Sequence, residues 1–340
     1  MTDLLKTARA LVEGDQGLLA ADDSTPTCNK RFARAGIPQT AEARRNYREL
    51  IVTTPGLSES ISGVILYDET IRQRTDDGRT FVETTAAAGL IPGIKVDTGA
   101  KDLACHPHER ITEGLDGLRE RITDCARMGA RFAKWRAVIA IGEGIPSCGC
   151  IAANAHALAR YAGLCQEADL VPIVEAEVLM DGKHGLESCR AVTETLLRAV
   201  FVELAEQRVL LEGLILKPNM VLPGLECPKQ ESAEEVAAVT VRTLLRADPA
   251  AVPGIAFPSG GQSGELASAR LSAMNATFQS QRPWALSFSF ARALQEPALA
   301  IWHGEKRNVA AAQKALRHRA ECDQAARRGD YTDAMEGLRT

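Results

Sequence analysis

Lysine and glutamate residues of the types needed for covalent carbonyl chemistry lie within short apolar runs of this chain. Lys217 occurs in LILKPNM, where three apolar residues precede it and Pro218 follows it. A free lysine amine has a pKa of about 10.4, so at neutral pH it is protonated and not nucleophilic. Burial and a neighbouring cation such as Lys134 would lower that pKa and free the lone pair to attack a carbonyl carbon. The pattern predicts that Lys217 forms a Schiff base.

Carboxylates in the same kind of run would support this chemistry. The iminium formed at Lys217 withdraws electrons and so permits cleavage of the bond between the carbons α and β to the original carbonyl. Glu175 would transfer protons while the carbinolamine forms and loses water, and Asp22 would take the proton from the hydroxyl whose carbon becomes the aldehyde. The alternative is a buried ion-pair network of the same residues, because such networks also perturb pKa values. The convergence of several lysines with Glu175 and Glu177 favours catalysis.

Two segments have the residue types expected of phosphate sites. SGGQSGE (259–265) follows an apolar run and precedes a helical pattern, so its backbone N–H groups could face an anion at a helix N-terminus. Arg292, just beyond the last apolar run, could bind the same phosphate with its planar guanidinium. STPTCNKR (24–31) offers the hydroxyls of Ser24 and Thr27, followed by two cations. Each signal is weak alone, but two such sites flanking the lysines suit a bisphosphorylated sugar.

Short apolar runs that alternate with helical patterns indicate the elements that must position these residues. The runs are residues 17–23, 63–69, 91–97, 132–139, 171–179, 214–220, 254–261 and 284–290. The helical patterns between them include residues 41–52, 115–129, 153–168, 191–207 and 232–246. This alternation favours parallel βαβ units, and continuous apolar runs suit strands covered on both faces. Eight units predict a closed (β/α)8 TIM barrel, a single domain over 1–340 with an extra N-terminal helix and a mobile C-terminal helical tail from about residue 320.

An open doubly wound sheet is the alternative architecture. Its dinucleotide-binding form expects a glycine-rich turn after the first strand, and ADDSTPT (21–27) is not one. A nicotinamide dehydrogenase is therefore disfavoured.

Charged residues within or at the ends of the runs argue for an active site in the barrel. Side chains two residues apart on a strand point to the same face, as in Lys134 with Arg136 and Glu175 with Glu177. Barrels carry their chemistry at the C-terminal ends of the strands. We therefore expect several strands to direct lysine, arginine and glutamate side chains into one space, with Arg136 among the phosphate-binding candidates.

Composition indicates the partners and the compartment. The 340 residues carry a net charge of −4 with a pI of about 6.0, which gives no reason to expect nucleic-acid or anionic-membrane binding. The nine cysteines lack framework spacing and predict free thiols in a reducing compartment. Neither a secretory signal nor an apolar stretch of about 18 residues is visible, so we expect a soluble cytoplasmic protein.

Metal chemistry has little support in the sequence. His106 and His108 are the only close histidine pair, and the CGC triplet at 148–150 lacks a second pair at ligand spacing. His318 is interpreted as an isolated surface or core residue and Cys322 as a small packing residue. No metal and no other cofactor are expected.

These motifs together resemble the class I fructose-1,6-bisphosphate aldolases. The matching segments include LLAADDSTPTCNKR, GIKVDTG, ARFAKWR, VPIVEAEVL, LEGLILKPNMV, FPSGGQS and PWALSFSFARALQ, and the match runs in family order from about residue 4 to about residue 333. The resemblance implies a (β/α)8 barrel and reversible cleavage of fructose 1,6-bisphosphate into dihydroxyacetone phosphate and glyceraldehyde 3-phosphate, a reaction of glycolysis and gluconeogenesis. It also implies sugar-phosphate ligands, no metal, and usually a homotetramer.

The resemblance also implies roles for individual residues. Lys217 looks like the Schiff-base lysine, Glu175 like the acid/base that assists imine formation, and Asp22 like the residue on the C4 hydroxyl. Lys134 looks like the cation that supports Lys217, and Glu177 like the glutamate that holds the lysines in place. Residues at the C1-phosphate position of the family are Ser259, Gly260 and Arg292, whereas Thr27, Arg31 and Lys95 fall near the C6-phosphate end.

Three departures from the family pattern leave the substrate preference open. DDS (22–24) stands where DES is more familiar, Phe290 and Ala291 stand where many members have Tyr-Gly, and the sequence ends at EGLRT without a C-terminal tyrosine. An aldolase that prefers sedoheptulose 1,7-bisphosphate or fructose 1-phosphate is the enzymatic alternative. A barrel with an additional role as a binding scaffold is the alternative from another class.

Overall fold

The computed structural model describes residues 2–338, and its centre is a closed parallel barrel. The strands are β1 (Gly17–Ala20), β2 (Ile61–Leu66), β3 (Ile91–Lys95), β4 (Gly99–Asp102), β5 (Arg110–Glu113), β6 (Phe132–Ile139), β7 (Val171–Val178), β8 (Ile215–Leu216), β9 (Gly254–Phe257) and β10 (Ala285–Phe290). Eight of them close in the order β1-β10-β9-β8-β7-β6-β3-β2, while β4 and β5 form an antiparallel pair. The predicted (β/α)8 barrel is confirmed.

Helices surround the barrel and alternate with its strands. They are α1 (Thr2–Val12), α2 (Thr25–Arg34), α3 (Ala41–Val52), α4 (Asp68–Ile71), α5 (Phe81–Ala87), α6 (Leu118–Arg127), α7 (Cys148–Glu167), α8 (Leu186–Glu206), α9 (Ala233–Ala247), α10 (Gly264–Phe278), α11 (Arg292–Trp302) and α12 (Val309–Arg328). Short 3-10 helices occur at Leu57–Glu59, Leu211–Gly213, Gln279–Gln281, Lys306–Asn308 and Asp333–Leu338. Within the described range no helix is both long and apolar enough to cross a membrane.

Local sequence accounts for where several helices begin. Thr80 and Ser232 each accept a hydrogen bond from the backbone N–H three residues later, at Glu83 and Glu235, whose carboxylates accept from the cap's backbone N–H in return. This reciprocal capping satisfies donors that a helix N-terminus otherwise leaves unpaired. Helices α5 and α9 therefore begin directly after Thr80 and Ser232.

The core has an inner part within the barrel and an outer part between the strands and helices. Apolar residues of α1, including Leu4 and Leu11, pack with barrel residues such as Phe132 in the inner part. A Cβ at Gly93 would overlap the Phe132 ring, so glycine is required on the neighbouring strand. Helix α1 thus packs at the N-terminal end of the barrel, away from the strand ends predicted to carry chemistry.

All eight apolar runs of the sequence contain a barrel strand, and the five helical patterns correspond to α3, α6, α7, α8 and α9. The pair β4–β5 flanks the segment that contains His106 and His108. Helix α12 continues to Arg328, with Cys322, Ala325 and Ala326 buried. The single-domain boundaries and the mobility of the tail from about residue 320 stay predictions.

Candidate active site

One cavity of about 1130 Å3 opens at the C-terminal ends of the barrel strands. Asp22 follows β1, Lys95 ends β3, Lys217 follows β8, and Arg292 begins the helix after β10. The candidate residues named from the sequence all line this cavity: Asp22, Ser24, Thr27, Arg31, Lys95, Lys134, Arg136, Glu175, Glu177, Lys217, Ser259, Gly260 and Arg292. The barrel therefore brings together all of the predicted catalytic and substrate-binding residues, because parallel strands end at the same edge.

Two lysines and two carboxylates form a buried chain of ion pairs in the cavity. Lys134 Nζ lies 2.6 Å from Asp22 Oδ2 and 3.0 Å from Glu175 Oε2, and Lys217 Nζ lies 3.1 Å from Glu175 Oε1. Each of these side chains is at most 8% exposed. Glu175 therefore bridges the two ammonium groups, and Lys217 lies at one end of this row of ion pairs.

The surroundings of the two lysines act on their pKa values in opposite directions. Burial would lower the pKa of Lys134, but Asp22 and Glu175 outweigh it and raise the pKa above the ordinary lysine value. Burial lowers the pKa of Lys217, and the Lys134 charge lowers it further, against the opposing effect of Glu175. Lys134 therefore stays charged while Lys217 more readily becomes a neutral amine.

The carboxylates of Asp22 and Glu175 are stabilised in their ionised form. Burial opposes the charge of Asp22 and Glu175, but Lys134 and Lys217 hold the pKa of both carboxyls below the ordinary value. An ionised Glu175 next to Lys217 can accept the proton that the amine must lose before it attacks a carbonyl. The arrangement is suited to imine chemistry.

A second pair of charges lies nearer the cavity mouth. Arg136 Nε donates to Glu177 Oε2 at 2.6 Å, and the Glu177 side chain is only 4% exposed. The two residues are on the adjacent strands β6 and β7, where Arg136 lies two positions beyond Lys134 and Glu177 lies two positions beyond Glu175. The two-residue period of a strand thus directs both pairs into the cavity.

Asp97 is a cavity residue that the sequence analysis missed. Its Oδ1 accepts from Lys95 Nζ and, at 3.0 Å, from Gly99 N, while its Oδ2 accepts from Arg136 N at 3.2 Å. This buried carboxylate fixes the Lys95 ammonium and the backbone of β6 at the same time. The sequence contains a pattern that could have indicated Asp97: it lies two positions after Lys95 in GIKVD, so the two side chains are expected on the same face.

The glycine-rich segment after β9 forms a turn at the cavity wall. Gly260 and Gly261 have φ values of +55° and +91°, a left-handed conformation that favours glycine. Ser263 caps α10 just beyond the turn, and a Cβ at Gly261 would stand 3.7 Å from Arg292 Nη2. Backbone N–H groups and a guanidinium therefore lie together, which is the chemistry of an anion site.

The start of α2 provides cationic and hydroxyl groups at another part of the wall. Ser24 Oγ and Thr27 Oγ1 are 3.1 Å apart, and Arg31 pairs with Asp23. Gln295 also accepts from Arg31 Nη1, at 3.5 Å. The Arg31 side chain is 11% exposed and is held in place from both sides. Two separate groups of cationic, hydroxyl and backbone N–H donors thus line the cavity that contains Lys217.

The family model described as fructose-bisphosphate aldolase class-I matches residues 3–339. The chain belongs to the class I fructose-bisphosphate aldolase family. It is accordingly a lyase, and the enzyme class expected from the motifs is confirmed.

Individual relatives agree with the family assignment. A probable fructose-bisphosphate aldolase class 1 of Xanthomonas axonopodis pv. citri is 55% identical over 319 residues, which cover 94% of this chain and 95% of the relative. The cytosolic fructose-bisphosphate aldolase 5 of Arabidopsis thaliana is 50% identical over 335 residues, 98% of this chain and 93% of the relative.

A solved structure of the aldolase family superposes closely on the barrel. It is the fructose-bisphosphate aldolase of Plasmodium falciparum in complex with TRAP and a small-molecule inhibitor. The TM-score is 0.95 at 47% identity, and the match covers 97% of this chain and 95% of that one. The fold of this aldolase is therefore the fold of its family.

Proposed function

We propose that this aldolase cleaves fructose 1,6-bisphosphate reversibly through a Schiff base on Lys217. The observation that carries the proposal is the position of Lys217 Nζ: it is buried, lies 3.1 Å from Glu175, and is linked through Glu175 to the cationic Lys134. An amine with a lowered pKa beside a carboxylate base is the arrangement that activates lysine as a nucleophile. The family assignment supports this reaction class.

Imine formation begins when Lys217 transfers its proton to Glu175 and its lone pair attacks the C2 carbonyl carbon of the ketose. A proton moves from the attacking nitrogen to the carbonyl oxygen to give a carbinolamine, and the protonated Glu175 then transfers its own proton to that hydroxyl, which leaves as water. The product is a protonated imine, which can accept the electron pair of a neighbouring C–C bond. The charge of Lys134, held in place by Asp22, disfavours a second positive charge on Lys217 and so favours its neutral amine before the attack.

Cleavage then requires a base on the C4 hydroxyl. We assign this role to Asp22, whose carboxylate is ionised and buried 2.6 Å from Lys134. Removal of the hydroxyl proton turns the C4–O bond into a carbonyl, the C3–C4 bond breaks, and its electron pair moves to the imine as an enamine. Glyceraldehyde 3-phosphate leaves first. Protonation of the enamine at C3 and hydrolysis of the imine release dihydroxyacetone phosphate and restore Lys217.

The two anion-binding groups would hold the two phosphates. Ser259, Gly260 and Arg292 are assigned to the C1 phosphate, because backbone N–H groups and a guanidinium meet there. The C6 phosphate is assigned to a second group, which consists of Ser24, Thr27, Arg31 and Lys95. Arg136, which Glu177 holds by an ion pair, would help to position the substrate between the two groups.

Steady-state kinetics tests the substrate assignment. We expect the highest kcat/KM for fructose 1,6-bisphosphate among three substrates, the others being sedoheptulose 1,7-bisphosphate and fructose 1-phosphate, and we expect EDTA to leave turnover intact. Lys217→Met removes the nucleophile at similar volume and should lower kcat by at least about 10³-fold, whereas Lys306→Met, at a lysine that is 92% exposed, should not. A higher kcat/KM for another ketose phosphate would overturn the substrate, and retained turnover in Lys217→Met would overturn the mechanism.

The assembly and location of the enzyme are also part of the proposal. We expect the homotetramer that is usual in the family and a cytoplasmic location, to which the cytosolic name of the Arabidopsis relative lends support. If the protein is a tetramer, sedimentation equilibrium should give a mass about four times the 36.6 kDa mass of one chain. A measured mass equal to that of one chain would contradict the tetramer.

A further inference from the structure

Three metal-ligating side chains meet on the last helix, outside the cavity described above. His318 and Cys322 are four residues apart on α12, so they share one face of the helix. Glu336 reaches them from the 3-10 helix Asp333–Leu338. His318 Nε2 lies 3.8 Å from Cys322 Sγ, and one ligand atom of each residue lies within 4.8 Å of the others. His318 was interpreted from the sequence as isolated, and its position beside Cys322 corrects that interpretation.

The distance between His318 Nε2 and Cys322 Sγ is close to that between two ligands of a tetrahedral metal site. Zinc binds cysteine sulfur at about 2.3 Å and histidine nitrogen at about 2.0–2.1 Å, so two such ligands at a tetrahedral angle are roughly 3.6 Å apart. The observed N···S distance of 3.8 Å differs from this by a few tenths of an ångström. Small rotations of these two side chains would seat an ion between them, and Glu336 has a carboxylate oxygen within 4.8 Å of both ligand atoms.

Neighbouring groups hold the Glu336 carboxylate in place. Its Oε1 accepts a hydrogen bond from the Tyr331 hydroxyl at 2.9 Å and pairs with the Arg319 guanidinium. Arg319 in turn pairs with the buried Asp323 at 3.3 Å, which offsets its positive charge. A carboxylate has about four lone-pair positions and can serve such donors and a metal together. Hydrogen bonds of this kind orient metal ligands in proteins.

We propose that His318, Cys322 and Glu336 bind one thiophilic divalent transition metal, of the Zn²⁺ class, with water as the fourth ligand. The cysteine ligand is buried and the other two are partly buried, so the ion would be shielded without being inaccessible. Coordination replaces the proton of the Cys322 thiol, which passes to solvent. The ion would join α12 to the segment that follows it and so stabilise the C-terminal part of the chain. None of the three ligands lines the catalytic cavity, and the site is independent of the lysine chemistry.

Cobalt substitution in the full chain tests the site directly. Protein stripped of metal with a chelator is titrated with Co²⁺, since thiolate ligation gives a charge-transfer band in the near ultraviolet and tetrahedral geometry gives absorption in the visible. We expect one equivalent of Co²⁺ per chain to bind with both signals, and Zn²⁺ but not Mg²⁺ to displace it. Zn²⁺ should also raise the Tm of the stripped protein while turnover stays unchanged.

Matched variants distinguish this site from the other cysteines. Cys322→Ser should abolish the charge-transfer band, and His318→Gln should weaken Co²⁺ binding by at least about tenfold. Cys148→Ser removes an exposed thiol elsewhere on the chain and should leave the titration unchanged. Should Cys322→Ser fail to fold, His318→Gln decides, because His318 is only partly buried. The proposal is overturned if no band forms, if the band persists in Cys322→Ser, if Co²⁺ affinity is unchanged in His318→Gln, or if Cys148→Ser removes the band.

Discussion

Replacement of Lys134 by methionine provides a quantitative test of how Lys217 is activated. The substitution removes a positive charge at similar volume. In the native chain, burial and then the Lys134 charge lower the pKa of Lys217, while Glu175 opposes them. Without Lys134 the opposing effect of Glu175 remains, so the pKa of the Lys217 amine must rise.

The geometry sets the size of this effect. Lys134 and Lys217 contact the two oxygens of the Glu175 carboxylate at 3.0 and 3.1 Å. The two nitrogens are therefore no more than about 8 Å apart, where two unit charges repel by about 2 kcal/mol at an effective dielectric constant of about 20. Since 1.36 kcal/mol corresponds to one pKa unit, Lys134→Met should raise the pKa of Lys217 by about 1.5 or more.

The assay is the pH dependence of kcat/KM and of the rate of borohydride trapping with dihydroxyacetone phosphate. Below its pKa the Lys217 amine is protonated and cannot attack, so a higher pKa moves the acid limb of both profiles to higher pH. We expect a displacement of about 1.5 pH units in Lys134→Met and a much smaller one in Lys134→Arg, which keeps the charge. An acid limb that stays in place, or moves to lower pH, would refute the electrostatic account of activation.

Three further predictions concern the surroundings of the lysines. Glu177→Gln weakens the charged hydrogen bond from Arg136 and should lower the free energy of unfolding by about 1–3 kcal/mol in urea titrations; an unchanged value would mean that the pair is not stabilising. Gly261→Ala places a side chain on a residue with left-handed backbone, at a cost of about 1–2 kcal/mol, and should raise KM for fructose 1,6-bisphosphate several-fold. The control Gly163→Ala, where a Cβ meets nothing within 4 Å, should leave KM unchanged. Equal KM values in the two variants would mean that the turn does not bind the phosphate. The pKa of Asp22 is lower in the folded chain than in the unfolded chain, so the stability that its carboxylate contributes is present above the unfolded pKa of about 3.9 and is lost as the pH falls through the folded pKa. Asp22→Asn should therefore lose less free energy of unfolding than the native chain between pH 6 and pH 3. Equal losses in the two proteins would contradict the lowered pKa.

Much of the site could be predicted because strand geometry is simple. Lys134 with Arg136 and Glu175 with Glu177 are two residues apart, and this period alone directs each pair to one face. The apolar residues before Lys217 predicted a strand end, and parallel strands bring their ends together. The sequence did not determine which carboxylate contacts which lysine, because that depends on the register between β6 and β7.

The features that were missed depend on contacts between distant parts of the chain. The spacing of Asp97 to Lys95 is visible in the sequence, but the hydrogen bond that its carboxylate accepts from the backbone of β6 depends on the fold. His318 and Cys322 had helical spacing in the sequence, but Glu336 lies 14 residues beyond Cys322, across a turn that no pattern predicted. Ligand sets of this kind are recognisable in structures rather than in sequences, because their spacing is not regular.

Mapping of the covalent adduct shows directly which lysine forms the Schiff base. The native chain is incubated with dihydroxyacetone phosphate, reduced with borohydride, digested and analysed by mass spectrometry. We expect one stable adduct per chain, on the peptide that contains Lys217. An adduct on Lys134 or another lysine, or no adduct from an active preparation, would contradict it.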